Sequence, residues 1–418
     1  MEAATNKRRG RRPLRLVRWF ALFIAFLTIV SLGTYRNQAQ NSAEIQPILL
    51  TQELFEATDI AAFQQGEPVV RLLPVEDKKE VAVYGLVRVQ ASTEVFLQSF
   101  RDSMAHKSNP AILEIGRFSS TPPLDDMQTL TMENRDVEDL KECVVGDCQL
   151  KLSATMIDRF HKEVDWQAAD YPLQATRLFK LMLLEYVRDY LQHGDDALIE
   201  YDDKAVGVRL ADEQRALFAA SRSVDKTLQQ FPADLKLSSK PTGLSVVEDA
   251  LVWSKIKFGL KPVLAINHIV IYKREQKAGP QILIASKQIY ANHYFNSSVA
   301  LTAFVNSQDT THESYLLYQN RSRADGLGGL FGKLKRGVIE REAMAGLKGI
   351  LQQTKLNLDA RVLNGGDNSP LEGKRSWREW KFGSKRLLLG LAWITALVVL
   401  ILGTYRWRGA LAKQFSSS

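Results

Sequence analysis

Two long apolar runs, one near each end of the chain, constrain the fold of this 418-residue protein more than any other feature. The first covers residues 19–35 and the second covers residues 387–405, and neither contains a charged residue. At a rise of about 1.5 Å per residue, a helix over either run would reach most of the way through a hydrocarbon core of about 30 Å. Because neither run has the polar face of a water-soluble helix, we predict two transmembrane helices.

Both runs end in the same five residues, L-G-T-Y-R, at 32–36 and again at 402–406. Tyrosine favours the membrane interface and arginine reaches into water, so this pentapeptide is typical of a helix end at the headgroups. No wider similarity joins the two segments, which indicates convergence and not an internal duplication. A cleaved signal peptide is the alternative for the first run, but no small-x-small cleavage site follows it, which favours an uncleaved anchor.

The distribution of lysine and arginine predicts how these helices are oriented. Seven basic residues precede the first run and Arg36 follows it, whereas six precede the second run and three follow it. The first helix usually dominates, so we predict an inner (plasma) membrane protein with cytoplasmic tails at 1–18 and 406–418 and a periplasmic main domain. The basic residues around the second run favour the opposite orientation, and this conflict stays open.

The net charge of +8 belongs to the membrane flanks and not to the main domain. Residues 1–18 carry +6 and residues 374–418 carry +8, which leaves −6 for residues 19–373. A mildly acidic domain does not suit a nucleic-acid partner, and we predict none. Residues 361–386 are basic and contain tryptophan, which predicts a juxtamembrane linker in contact with membrane lipids.

Between the two apolar runs, the patterns predict a polar tether over residues 36–80 and an α+β domain over residues 81–360. A valine-rich strand at 81–90 precedes a helix that ends near Met104. Amphipathic helical patterns then occupy an inserted segment, residues 152–231.

The fold class of this domain follows from the pattern after residue 250. Five β-rich runs separated by short turn signals predict an antiparallel meander. A long helix over about 330–358 follows, and its apolar stripe is predicted to close the sheet. The stripe consists of Leu334, Val338, Leu347, Ile350 and Leu351. The predicted fold is therefore an α+β domain with an antiparallel sheet, closed by a C-terminal helix and flanked by two transmembrane helices.

The chain has only two cysteines, Cys143 and Cys148, with Gly146 and Asp147 between them. A turn at these residues brings the thiols together, so we predict a structural disulfide of the kind that forms in an oxidising compartment. Free thiols are the second interpretation. A metal site is the third, because no further ligand pair has the spacing of a zinc site. We predict no cofactor.

The order of elements resembles the helix-grip arrangement of START-like domains, over roughly 81–104 and 250–358. In that fold the last helix closes a sheet around an apolar cavity, so the resemblance implies an apolar or lipid-like ligand. The chain is also similar to uncharacterised bacterial two-span membrane proteins, a resemblance that implies no activity. It rests on C-x-x-G-x-C at 143–148, S-K-Q-I-Y-A-x-H-Y-F at 286–295 and N-R-S-R-x-D at 320–325.

Four polar residues in these segments are candidates for ligand binding. Lys287 and His293 fall on one face of a predicted strand over 281–294, where they could line a polar-tipped pocket. Arg321 and Arg323 fall on one side of a strand end, where they could clamp an anionic head group. The alternatives are a solvated face or a hydrogen-bonded core histidine for the first pair, and ion pairs with the domain's own carboxylates for the second.

No catalytic motif is complete in this sequence. The glycine-rich segment 325–334 lacks the spacing of a phosphate loop, and neither H-E-x-x-H nor G-x-S-x-G occurs. An enzyme is therefore the third interpretation of the function. The first is a membrane-anchored domain that binds a hydrophobic or lipid-like ligand. The alternative is a non-catalytic structural or assembly component of the cell envelope.

Overall fold

The computed structural model describes residues 55–105, 111–224, 228–231, 243–257, 261–276, 280–307, 313–325, 327 and 332–363. These ranges lie within one compact unit, Glu53–Ser418. They contain seven α-helices and a large antiparallel sheet, which confirms the predicted α+β class.

The helices and strands are named in chain order. The helices are α1 Ala57–Gln64, α2 Thr93–Ala105, α3 Asn134–Lys141, α4 Ala154–Glu163, α5 Tyr171–His193, α6 Leu210–Arg222 and α7 Gly332–Leu363. The strands are β1 Val69–Leu72, β2 Glu80–Val89, β3 Ile112–Arg117, β4 Glu200–Tyr201, β5 Val208–Arg209, β6 Ser245–Ile256, β7 Val263–Arg274, β8 Gln281–Ala291, β9 Phe295–Asn306 and β10 Ser314–Ala324.

Eight strands form one antiparallel sheet in the order β1-β2-β10-β9-β8-β7-β6-β3, and β4 and β5 form a separate small hairpin. Strands β6 to β10 are the predicted meander, and each pairs with its neighbour in the chain. Strand β2 comes from far earlier in the chain and joins β10, with Val89 opposite Ser314 and Glu80 opposite Arg323. The meander is therefore extended by a long-range pairing.

Local sequence signals define the longest helix of the inserted segment, α5. Pro172 lies in its first turn, where a missing backbone N–H costs nothing. The helix ends at His193, because Gly194 follows with a φ of 61° that glycine adopts without strain. Its buried residues repeat at helical spacing and form one broad apolar face.

Helices cover both faces of the sheet. One apolar cluster joins α3, α4 and α5 to strands β6, β7 and β8. A second cluster joins α2 and α7 to strands β2, β8, β9 and β10. Alternate residues of β10 point to opposite layers, since Leu316 packs in the cluster with α7 whereas Arg323 contacts Glu213 on α6. The result is three layers, with the sheet in the middle.

Helix α7 packs directly on strand β2. Leu347 and Leu351, which were predicted to face the sheet, are buried there, and Val338 is half-buried. The approach is close at Gly85, where an added Cβ would lie 2.7 Å from Leu351 Cδ1 and 3.0 Å from Leu347 Cδ2. Glycine at this position therefore lets the helix lie against the strand. The side chain of Leu334 lies outside the described residues.

The connection between β8 and β9 differs from the predicted single strand over 281–294. Strand β8 ends at Ala291 and β9 begins at Phe295, so His293 lies in a turn and does not share a strand face with Lys287. Asn292 holds this turn, because its side-chain oxygen accepts a hydrogen bond from Leu264 N at 2.8 Å. Tyr294 has a φ of 61°, which lies in the left-handed region that residues other than glycine seldom adopt.

Two short strands and one short helix lie in segments without a clear sequence pattern. Residues 105–150 were predicted to be mostly irregular, but they contain β3 and α3. Residues 69–72 fall within the predicted tether and form β1 at the edge of the sheet. Pairing with β2 and β6 stabilises these short strands, which isolated propensity does not predict.

The predicted location, an inner membrane crossed by two spans, is contradicted. Among the described residues, no helix combines the length and the apolar character needed to cross a membrane. The two longest, α5 and α7, carry charged side chains along most of their length. The segments predicted to span, 19–35 and 387–405, lie outside the described residues, as does most of the predicted linker 361–386.

Candidate functional site

The four residues predicted to bind a ligand do not meet at a single site. Lys287, His293 and Arg321 are buried, and Arg323 is half-buried. Each of them contacts a carboxylate of the domain itself. They belong to three separate polar clusters, each described below.

The arginine cluster lies between β2, β10 and α6. Arg321 Nη1 lies 2.5 Å from Glu80 Oε1, and both side chains are buried. Arg323 Nε lies 3.3 Å from Glu80 Oε2, and its Nη1 lies 3.1 Å from Glu213 Oε2 on α6. Burial would lower the pKa of Arg323, but Glu213 and Glu80 outweigh it and raise the pKa. Both arginines therefore form ion pairs with the domain's own carboxylates, which is the alternative interpretation of these residues from the sequence.

The histidine–lysine cluster lies beneath the end of α5. Lys287 is opposite His268 in the register of β7 and β8, and its ammonium forms an ion pair with Asp195. Tyr190 Oη lies 2.8 Å from His268 Nδ1, and His268 Nε2 lies 2.9 Å from Asp249 Oδ1. A tyrosine hydroxyl that donates to Nδ1 leaves the proton on Nε2, which then donates to the carboxylate. Burial raises the pKa of Tyr190, so its hydroxyl remains a donor.

The His293 cluster joins α3 to the turn between β8 and β9. His293 Nε2 lies 2.9 Å from Asp136 Oδ2, and its Nδ1 lies 3.1 Å from the carbonyl oxygen of Gln149. Both ring nitrogens thus face oxygen atoms of the domain itself. Lys261 Nζ lies 3.0 Å from Asp136 Oδ1. Burial alone would raise the pKa of Asp136, but His293 and Lys261 outweigh it and hold the pKa below its ordinary value.

A fourth cluster, around Lys151, was not predicted from the sequence. The buried Lys151 Nζ lies 2.6 Å from Asp325 Oδ2, 2.7 Å from Asn296 Oδ1 and 3.6 Å from Asp203 Oδ1. Burial raises the pKa of Asp203; Lys151 opposes this, and the nearby Asp325 adds to it. The available signal was the sequence L-K-L at 150–152, where a lysine interrupts an apolar pattern.

The predicted disulfide between Cys143 and Cys148 is confirmed, with the two Cα atoms 4.5 Å apart. Its side chains are buried in the same cluster as α3, α4 and α5, and it closes a small hairpin. Gly146, at the turn of this hairpin, has a φ of 88°, which favours glycine. The hairpin lies beside the loop between β4 and β5, since Gly146 N donates to the carbonyl oxygen of Asp202 at 2.7 Å.

These clusters set limits on the chemistry of the domain. In the part of the chain that the structure describes, no three His, Cys, Asp or Glu side chains are grouped so that they could hold a metal ion. The histidines of the two histidine clusters each contact a carboxylate, and the buried lysines each contact at least one.

Segments 286–295 and 320–325 lie side by side, and Lys151, just after segment 143–148, contacts both. Lys151 N, just after the disulfide loop, donates to the carbonyl oxygen of Asn292 at 2.8 Å. Asp325 N donates to the carbonyl oxygen of Tyr294 at 3.0 Å, and its carboxylate contacts Lys151. Lys151, Asn292, Tyr294 and Asp325 therefore meet at one place beside the sheet. Comparison of the chain with protein-family models, curated proteins and solved structures finds no match.

Proposed function

We propose that this chain is a non-catalytic structural or assembly protein, whose domain provides a rigid support for contacts with a partner. The observation that carries this proposal is the internal pairing of the side chains that were candidates for ligand binding. Lys287, His293 and Arg321 are each buried against a carboxylate of the domain. A side chain paired in this way has little capacity left to bind or transform a ligand.

The position of these pairs supports the same proposal. His293, next to β8, contacts Asp136 on α3, and Arg323 on β10 contacts Glu213 on α6. Each pair thus joins the sheet to the helical layer. Breaking a fully buried pair such as His293–Asp136 by removing a partner costs about 3–5 kcal/mol, so this pair holds the two layers in one arrangement. A fixed arrangement is what a support needs, whereas an enzyme often needs a mobile lid.

Native mass spectrometry of the full chain, purified gently from its own cells, tests this function. We expect a complex that contains at least one different protein. A single copy of the chain carrying one small apolar molecule would contradict the proposal. Mild denaturation in the same instrument would identify the components by mass.

Binding of an apolar ligand is the second candidate, because α7 and the sheet enclose an apolar cluster that includes Val83, Ile284 and Phe304. The close approach of Leu347 and Leu351 to Gly85 supports the structural function over this one, since the helix and strand are already in contact. The same mass measurement separates the two candidates. An added mass of several hundred daltons that is lost on denaturation would favour the ligand.

A further inference from the structure

We infer that the disulfide-closed hairpin and the neighbouring β4–β5 loop form a docking knob for a partner protein, whose cleft is apolar and has a basic rim. The inference rests on the proposed function. The knob consists of Val144 and Val145 in the hairpin and Val206 in the loop. These residues are 51%, 58% and 80% exposed.

The knob is apolar where a solvated loop tip would be polar. Val206 is the most exposed of the large hydrophobic residues in the described part of the chain. The two loops adjoin, because a Cβ at Gly146 would lie 3.7 Å from Ala205 Cα. Apolar side chains grouped on a surface mark a site of interaction more often than isolated ones do.

The knob is also rigid. The Cys143–Cys148 disulfide closes the hairpin, and Cys148 N donates to the carbonyl oxygen of Asp203 at 3.0 Å. Lys204 Nζ donates to the carbonyl oxygen of Cys148 at 3.0 Å, which ties the loop to the hairpin a second time. Contacts that are held in place before binding lose less entropy when a partner arrives. The covalent and hydrogen-bonded support therefore suits a preformed binding surface.

The charges beside the valines discriminate between the possible binding partners of the knob. Glu142, just before the hairpin, and Asp147 within it are exposed; Lys204 is exposed as well, but its ammonium lies 3.8 Å from Asp203 Oδ2 and donates to the carbonyl oxygen of Cys148, so the two carboxylates are the larger exposed charge. Exposed carboxylates would be repelled by an anionic lipid surface and by the same carboxylates of a second copy. They would be attracted to basic side chains around an apolar cleft. A different protein with such a cleft is therefore the partner that fits.

Photo-crosslinking in the native cells, with the full chain, tests this inference. A photoreactive amino acid at position 206 should give an adduct with one different protein. The matched control carries it at Leu356, which is 49% exposed on α7, on the opposite face of the sheet. An adduct with a second copy or with lipid, the same adduct from Leu356, or no adduct would overturn the inference.

The captured protein is then purified and its Kd for the chain measured. We expect Val145→Asp, and separately the double change Glu142→Lys with Asp147→Lys, to raise the Kd about tenfold or more, as central interface residues do. Leu356→Asp should leave the Kd unchanged, and circular dichroism should show all variants folded. If native mass spectrometry of the full chain shows a complex with a different protein, an unchanged Kd for Val145→Asp would overturn the docking site alone. If native mass spectrometry of the full chain shows no such complex, the proposed function would be overturned as well.

Discussion

The carboxylate of Asp136 and the imidazole of His293 are 157 positions apart in the sequence and 2.9 Å apart in the interior of the domain. Asp136 belongs to α3, and His293 belongs to the turn between β8 and β9. Lys261, just before β7, contacts the same carboxylate. Three distant parts of the chain thus meet at one buried group, which fixes how the helical layer docks on the sheet.

Acid should destabilise the domain through Asp136. The pKa of this carboxyl is lowered in the folded protein. A group of this kind contributes stability above its unfolded pKa of about 4, and the contribution is lost as the pH falls through the folded pKa. We expect the free energy of unfolding, measured with urea, to fall more steeply below about pH 4 in the wild type than in Asp136→Asn.

Asp158 provides the control for this experiment, since it forms an exposed ion pair with Lys162 on α4. Asp158→Asn should keep the pH profile of the wild type, because exposed pairs contribute little. A wild-type profile for Asp136→Asn as well would show that this carboxylate does not control the acid sensitivity.

The pair of Glu80 and Arg321 should show strong coupling. Arg321→Met removes a buried cation and leaves the buried Glu80 with fewer partners, so we expect a loss of about 3–5 kcal/mol in the free energy of unfolding. Adding Glu80→Gln should recover part of this loss, because the second change removes the uncompensated charge. The exposed Arg341→Met on α7 is the control and should stay within about 0.5 kcal/mol of the wild type. Additive losses in the double variant would argue against direct coupling.

Leu347 should be essential for the attachment of α7 to the sheet. Its side chain is fully buried against β2, so Leu347→Ala should lower the free energy of unfolding by about 2–5 kcal/mol in urea titrations. The adjacent Lys348 is exposed, and Lys348→Ala should change the free energy of unfolding by no more than about 0.5 kcal/mol. Equal effects of the two changes would mean that the helix does not pack on the sheet in solution.

The disulfide should contribute modestly to stability, because it closes a loop with a sequence separation of only 5 residues. We expect the double variant Cys143→Ser with Cys148→Ser to lose about 2 kcal/mol in the free energy of unfolding. Reductant should destabilise the wild type by a similar amount and leave the double variant unchanged. Full thiol labelling of unfolded, unreduced protein would show instead that the bond does not form.

The sequence by itself determined the elements with strong periodicity. β-rich runs and the turn signals between them located the strands of the meander, and helical spacing with Pro172 and Gly194 located α5. The two cysteines allowed a single pairing, and their short separation made it geometrically feasible. These features depend on neighbours within a few residues, and local propensity and turn chemistry encode such neighbours directly.

The tertiary structure alone decided which charges meet. Arg321 pairs with Glu80 because β10 lies beside β2, a pairing that no local pattern specifies. His293 leaves the predicted strand because the turn at Asn292 is held by the backbone of β7. Lys151 becomes a buried cation because Asp325 and Asn296 reach it from other parts of the chain. A buried charge is stable only with its partner in place, and partners that are distant in sequence come together only when the chain folds.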